Sequence, residues 1–292
     1  MKKLFLIFAL TVAAVFSANA VEKTKIYDFS DIRSIKAGHA YEIHVSEGNS
    51  DKVKVVYDDQ FEKYMEISHS GAKGTLILEM KELPLKLRTG RNSGVKVYIE
   101  MDKIVNISLS GAASAKFEGK FKADELNIDL SGAAKMRELN INGRSLDLDC
   151  SGATNAFIVG NFDEDADIDM SGACKVIFNG NALSLEGDLS GACNLKADGN
   201  YDECSIECSG ASEARLEGEA DLFSAECSGA SKIEAEHLIA RKVDLLLIGS
   251  SKAIVNAAKT LTYDVSRASK LIYYGDAELN DISHDSNVQR GI

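Results

Sequence analysis

The stretch Asp167-Ile168-Asp169-Met170-Ser171-Gly172-Ala173-Cys174 is matched nineteen residues later by Glu186-Gly187-Asp188-Leu189-Ser190-Gly191-Ala192-Cys193. Its Ser-Gly-Ala tripeptide recurs with the serine at Ser110, Ser131, Ser151, Ser171, Ser190, Ser209 and Ser228, in steps of 21, 20, 20, 19, 19 and 19 residues. Degenerate copies follow at Ile248-Gly249-Ser250, Ser266-Arg267-Ala268 and Ser283-His284-Asp285. A period near twenty residues, sustained this long, indicates stacked repeats rather than a globular enzyme core.

Aligning the copies on the serine separates inside from outside. One residue before it stand Leu109, Leu130, Cys150, Met170, Leu189, Cys208 and Cys227; three before it stand Ile107, Ile128, Leu148, Ile168, Gly187, Ile206 and Ala225. Five before it come Val105, Leu126, Leu146, Ala166, Leu185, Cys204 and Phe223, so three alternate columns are almost wholly apolar. The column between them, two before the serine, is acidic: Asp129, Asp149, Asp169, Asp188, Glu207 and Glu226. Period-two alternation is a strand with one face buried. A further apolar column lies five after the serine, and a glycine recurs nine after it, at Gly119, Gly160, Gly180, Gly199, Gly218 and Gly275.

Each unit therefore reads as strand, Ser-Gly-Ala bend, strand, glycine turn and short return. The bends fall at Gly111, Gly132, Gly152, Gly172, Gly191, Gly210 and Gly229, where glycine supplies a backbone that tolerates positive φ and close approach. Placing the same column inward in successive units requires each strand to pair with its own copy one turn on. The expected fold is all-β, a parallel β-helix with rungs about 4.8 Å apart. Propeller blades are about twice as long, and a flat meander would not repeat the inward column.

The organisation expected is a leader at 1–20, a strand-rich N-terminal part and cap at 21–103, and the repeat helix at 104–292, the last two forming one domain. Met1-Lys2-Lys3, an apolar run from Leu4 to Phe16 and Ser17-Ala18-Asn19-Ala20 make up the leader, with cleavage after Ala20. The run is too short to span a bilayer, and no other segment could. Between Val21 and Met101 the repeat is not visible, although Ala40–Val45, Lys52–Tyr57, Thr75–Met80 and Val95–Met101 alternate as strands. Ser70-Gly71-Ala72 matches the tripeptide but runs into Lys73-Gly74, a turn, and reads as coincidence.

The formal charge is −12, and loss of Lys2 and Lys3 takes it to −14. Such a surface argues against nucleic acid and anionic lipid as partners. The six cysteines occupy repeat positions that Leu, Met, Ala, Thr or Ser fill elsewhere, so they read as buried ladder residues, with Cys174/Cys193 and Cys208/Cys227 as stacked neighbours. The serines read as turn residues bonding backbone, not nucleophiles. The five histidines show no metal spacing. Lys86, Arg88 and Arg91 form a small basic loop, and Tyr263, Tyr273 and Tyr274 a late aromatic group. Tyr273 is expected to pack inward and Tyr274 to cover the C-terminal end.

With the repeat laid out, the chain resembles the auto-transporter adhesin family with the head GIN domain, found in many exported Bacteroidetes proteins. The leader, the alternating N-terminal strands, the Ser-Gly-Ala series and the segment Leu261–Gly275, which ends Tyr-Tyr-Gly before a polar turn, carry the resemblance. It implies a right-handed β-helix shaped like the pectin lyases, without a known catalytic site. Arg267, where the repeat has glycine, and Ile248, where it has serine, depart from the pattern.

The expected function is accordingly non-catalytic: an exported module at the cell surface, in the periplasm or secreted, binding glycan or protein. A polysaccharide lyase or hydrolase on the same scaffold and a ligand-free periplasmic scaffold are the alternatives. No cofactor is expected. The acidic column Asp129, Asp149, Asp169, Asp188, Glu207 and Glu226 is the one candidate for a cation, Ca²⁺, which could bridge stacked carboxylates. No compact Asp/Asn/Gly calcium loop accompanies it, so a solvated, salt-screened face is the preferred reading.

Overall fold

Each Ser-Gly-Ala forms the corner between two strands of one coil, and the corners stack. The computed structural model describes residues 22–50, 52–84, 94–266, 268–283 and 287–291. The leader at 1–20, the basic loop with Lys86, Arg88 and Arg91, and Arg267 and His284-Asp285 lie outside the described residues.

Before the corner, the strands Glu125–Leu130, Ser145–Gly152, Asp165–Gly172 and Ser184–Gly191 pair in parallel, each residue beside its own repeat partner. After the corner, Ser114–Glu118, Lys135–Asn142, Asn155–Val159 and Lys175–Asn179 form a second parallel ladder. The protein is a solenoid of such coils, with the predicted apolar columns buried between the ladders. One position differs. Val105 is exposed, and the wholly buried Ile104 fills the core at that level.

The corner glycines from Gly111 to Gly229 all have φ between 68° and 95°. A Cβ on any of them would lie 2.5–2.9 Å from backbone of the preceding corner. The following alanine amide donates to the glycine carbonyl one coil back, as in Ala173 N to Gly152 O at 2.7 Å. The second glycine series works differently. Gly160, Gly180 and Gly199 lack positive φ, but a Cβ on each would collide with the carbonyl oxygen of the residue stacked beneath it. Beside them, the Asn142, Asn161 and Asn181 side-chain oxygens accept from the amides of Asn161, Asn181 and Asn200 at 2.8, 3.0 and 2.9 Å. This asparagine ladder satisfies backbone at the glycine turn. The return is not always separate: from Asn194 onward single strands run through it, at Asn194–Cys208, Glu213–Cys227 and Lys232–Leu247.

The N-terminal part builds coils as well as a cap. Its strands are β1 (Glu22–Asp28), β2 (Ser34–Ala37), β3 (Glu42–Glu47), β4 (Lys52–Asp58), β5 (Met65–Ser70), β6 (Thr75–Met80) and β7 (Val95–Met101), followed by β8 (Asn106–Leu109) and β9 (Ser114–Glu118). β2 pairs in parallel with both β6 and β8, and β3 with both β7 and β9. Coil β2–β3 is therefore inserted between β6–β7 and β8–β9, out of chain order. Its corner is Gly38-His39-Ala40, with His39 at φ 60° beneath Gly111. The repeat thus extends into 34–47, where the sequence reading saw none. The cap proper is antiparallel: β5 on β6, β4 on β7 and β1 on β4. Reversed strands end the stack by covering the open edge of the first coil. Ser70-Gly71-Ala72 is the turn joining β5 to β6, unrelated to the corners. At the far end Tyr273 packs partly buried on the core, and Gly291 lies against the Tyr274 ring.

Candidate functional site

The register brings the acidic column together on one outer face: Asp129, Asp149, Asp169, Asp188, Glu207 and Glu226 are consecutive lateral partners. Beside it Asp147, Asp167 and Glu186 stack likewise, giving way to Ser205 and Ser224, whose hydroxyls lie 3.1 Å apart. Between this sheet and the corners an open groove of about 480 Å³ runs over five coils, lined by Asp149 to Glu226 and by Ser151, Ser171, Ser190, Ser209 and Ser228. The column ends at Leu246, the partner of Glu226.

The serines serve the corner. Ser190 Oγ donates to Met170 O at 3.3 Å, Ser209 Oγ to Leu189 O at 3.4 Å and Ser110 Oγ to Ala37 O at 3.4 Å. A hydroxyl donating to a carbonyl one coil back has no base to activate it.

The carboxylates repel one another. Partial burial, then Asp188 and Asp149, push Asp169 above the ordinary carboxylate range; burial, then Glu186, does so for Asp167; and Asp188, then burial, for Glu207. Among the described residues no salt bridge reaches these acids. The other sheet's outer face is charge-paired by contrast, with Glu234 gripped by Arg215 and Lys232, and Lys196 2.9 Å from Glu217.

Acids in line on one surface differ from a glycosidase pair, which must flank a scissile bond from two sides. Among the described residues no group of three or more His, Cys, Asp or Glu is arranged to hold a metal ion. His44 bonds Glu42 at 3.0 Å and stacks on Tyr98, His39 turns a corner, and His69 lies in the cap, so each of these three histidines serves the fold. The face can accept hydrogen bonds and attract cations along a line. It presents no nucleophile, base and oxyanion donor converging on one point.

All six cysteines are buried free thiols. Burial pushes Cys150 and Cys204 up to about 12. Cys174 and Cys193 belong to a buried hydroxyl column with Thr154, Ser212, Ser231, Ser251 and Ser269, a grouping the apolar reading missed. Thr154 Oγ1 donates to Cys174 Sγ at 3.1 Å, and the Ser251 and Ser269 hydroxyls lie 3.2 Å apart. Alignment three residues after the serine would have revealed it. The asparagine ladder was legible too, since Asn161, Asn181 and Asn200 each follow a glycine of the second series.

The family model described as "Putative auto-transporter adhesin, head GIN domain" matches residues 31–173 and again 166–277. A comparison with curated proteins finds no match. Among solved structures, a putative adhesin from Parabacteroides distasonis is similar over 94% of this chain and 98% of its own, at 15% identity and TM-score 0.51. A putative lipid binding protein from the same species aligns at 17% identity and TM-score 0.44, covering 93% and 97%. A putative adhesin from Parabacteroides merdae does so at 16% and 0.40, covering 93% and 96%. The first of these likenesses concerns fold alone. Among the described residues no helix is long and apolar enough to cross a membrane.

Proposed function

The chain belongs to the putative auto-transporter adhesin, head GIN domain family, and from that premise we propose that it is a non-catalytic, exported binding module. Its ligand is a glycan or protein at the cell surface, engaged along the acidic, serine-lined face. The observation that carries this reading is the groove of about 480 Å³ in which the same Asp or Glu and Ser recur over five coils. Repetition suits an extended partner that meets equivalent acceptors at each rung. A catalytic site needs one unique arrangement, and every coil here offers the same one.

Immobilised protein probed with a glycan array and with surface extracts tests this. Binding lost when Asp149, Asp169 and Asp188 are changed together to Asn supports it; binding unaffected by that variant removes the face from the proposal. Incubation with acidic and neutral polysaccharides should yield no new reducing ends or unsaturated products, and their appearance would restore the lyase or hydrolase reading. Absence of any ligand would leave the periplasmic scaffold. Cell fractionation with surface protease accessibility distinguishes surface from periplasm. The face needs no cofactor in this reading. Millimolar Ca²⁺ should stabilise the protein no more than Mg²⁺ at equal ionic strength, because acids in a row do not converge on one ion. A calcium-specific rise in melting temperature would make the column a cation site.

A further inference from the structure

Between β1 and β2 the chain crosses the cap as Phe29-Ser30-Asp31-Ile32, outside any strand and, among the described residues, with no backbone hydrogen bond of its own. Asp31 is held at φ 57°, a left-handed conformation that costs an L-residue energy. Side chains must therefore hold this strap. Ile32 is buried, and Phe29 stacks on His69 of β5 with ring centroids 5.3 Å apart and planes 29° apart. Tyr27 in turn stacks on Phe29 at 5.5 Å.

His69 is the vulnerable member. Its Nε2 is buried without a hydrogen-bond partner among the described residues. A neutral imidazole tolerates this; an imidazolium would place a charged N–H there with no acceptor. Of the charged groups on the strap, β5, β6 and their turn (Asp31, Arg33, Glu66, Lys73 and Glu79), only Asp31 favours the protonated ring. Asp31 is itself engaged by Arg33 at 2.9 Å. Burial outweighs it and holds His69 below the ordinary histidine range.

We propose that the strap is an acid-released latch: a second proton on His69 breaks the Phe29–His69 stack and lifts residues 29–32 off the cap. The sign follows from the preference for the neutral ring. The opened state binds the proton with an ordinary affinity, so the latched state loses ground as pH falls below about 6.5, by at most about tenfold per pH unit. The coils respond oppositely, because protonation relieves their stacked carboxylates.

Hydroxyl-radical footprinting of the full chain, read by mass spectrometry at pH 7.5 and pH 5.0, tests the latch. Oxidation of Phe29 and Tyr27 should rise several-fold at pH 5.0 while the buried Phe223 stays unchanged. His69→Phe, which keeps a ring under Phe29 but cannot be charged, should abolish the rise. An unchanged wild type, or the same rise in His69→Phe, overturns the proposal. Should that variant fail to fold, NMR of the wild type decides: loss of the Phe29–His69 ring contact as His69 takes up its second proton upholds the latch, and a contact retained in the protonated form, or a midpoint at or above the ordinary histidine value, overturns it.

Discussion

Ser-Gly-Ala occurs at Ser70–Ala72 and at Ser171–Ala173, and the same substitution should have opposite consequences in the two places. Gly172 has φ 95°, and a Cβ there would sit 2.6 Å from Gly152 O and 3.1 Å from Gly152 N. Both atoms belong to the backbone of the adjacent coil, which cannot turn aside as a side chain would. The left-handed conformation costs an alanine about 1–2 kcal/mol, and forced overpacking adds about 1–3 kcal/mol. Gly172→Ala should therefore destabilise by about 2–5 kcal/mol, partly by lengthening the Ala173 N to Gly152 O bond. Gly71 has no atom within 4 Å of the added Cβ and no positive φ. Gly71→Ala should be neutral or stabilise by up to about 1 kcal/mol through the unfolded chain. Urea denaturation followed by circular dichroism compares the two midpoints, with a check that one transition describes both, since repeat proteins can lose coils separately. Variants that shift the midpoint equally, or a Gly172→Ala protein indistinguishable from wild type, would refute the corner-stacking argument.

Gly180→Ala should be more severe still, because its Cβ would land on Gly160 O; we expect little soluble protein, and normal yield with an unchanged melt would contradict the close approach. Stability should rise as pH falls from 7 toward the raised pKa values of Asp167, Asp169 and Glu207, since the native state then holds protons the unfolded chain does not. Glu62 behaves oppositely: bonded by Lys25 and Lys23 and lowered to about 2, it contributes down to ordinary carboxylate pH and loses that contribution as pH approaches 2. Urea midpoints at pH 7.0 and 5.0 check the first sign, and added NaCl at pH 7.0 should mimic it by screening. All six thiols should be silent to a thiol reagent in native buffer and react in guanidinium; fast labelling of any native thiol would count against the buried ladder.

Much of the fold was legible because a parallel, in-register stack sets each residue beside its own copy one period on. Leu148, Ile168 and Ile206 could be assigned to the core, and Asp149, Asp169 and Asp188 to a shared outer face, from spacing alone. The acids' consequences needed the structure: that they line a groove, form no salt bridge among the described residues and shift one another's protonation depends on neighbours brought in by folding. Thr and Ser at the repeat positions of Cys174 and Cys193 already hinted at a polar buried column, and the structure adds the bonds that join it, such as Thr154 to Cys174.

Where copies resemble one another, the sequence by itself determined the coil, its corners and its inward face, because the interacting partners carry the same residue types at a constant separation. The tertiary structure alone decided the order of the first coils. β2–β3 lies between β6–β7 and β8–β9, with Gly38-His39-Ala40 at the corner, and nothing in the local pattern of 34–47 specifies which edges it will occupy. That placement follows from two open strand edges needing to be filled and from antiparallel strands closing the last one. The latch over β5 is likewise tertiary, since Phe29 and His69 meet only when the cap has closed.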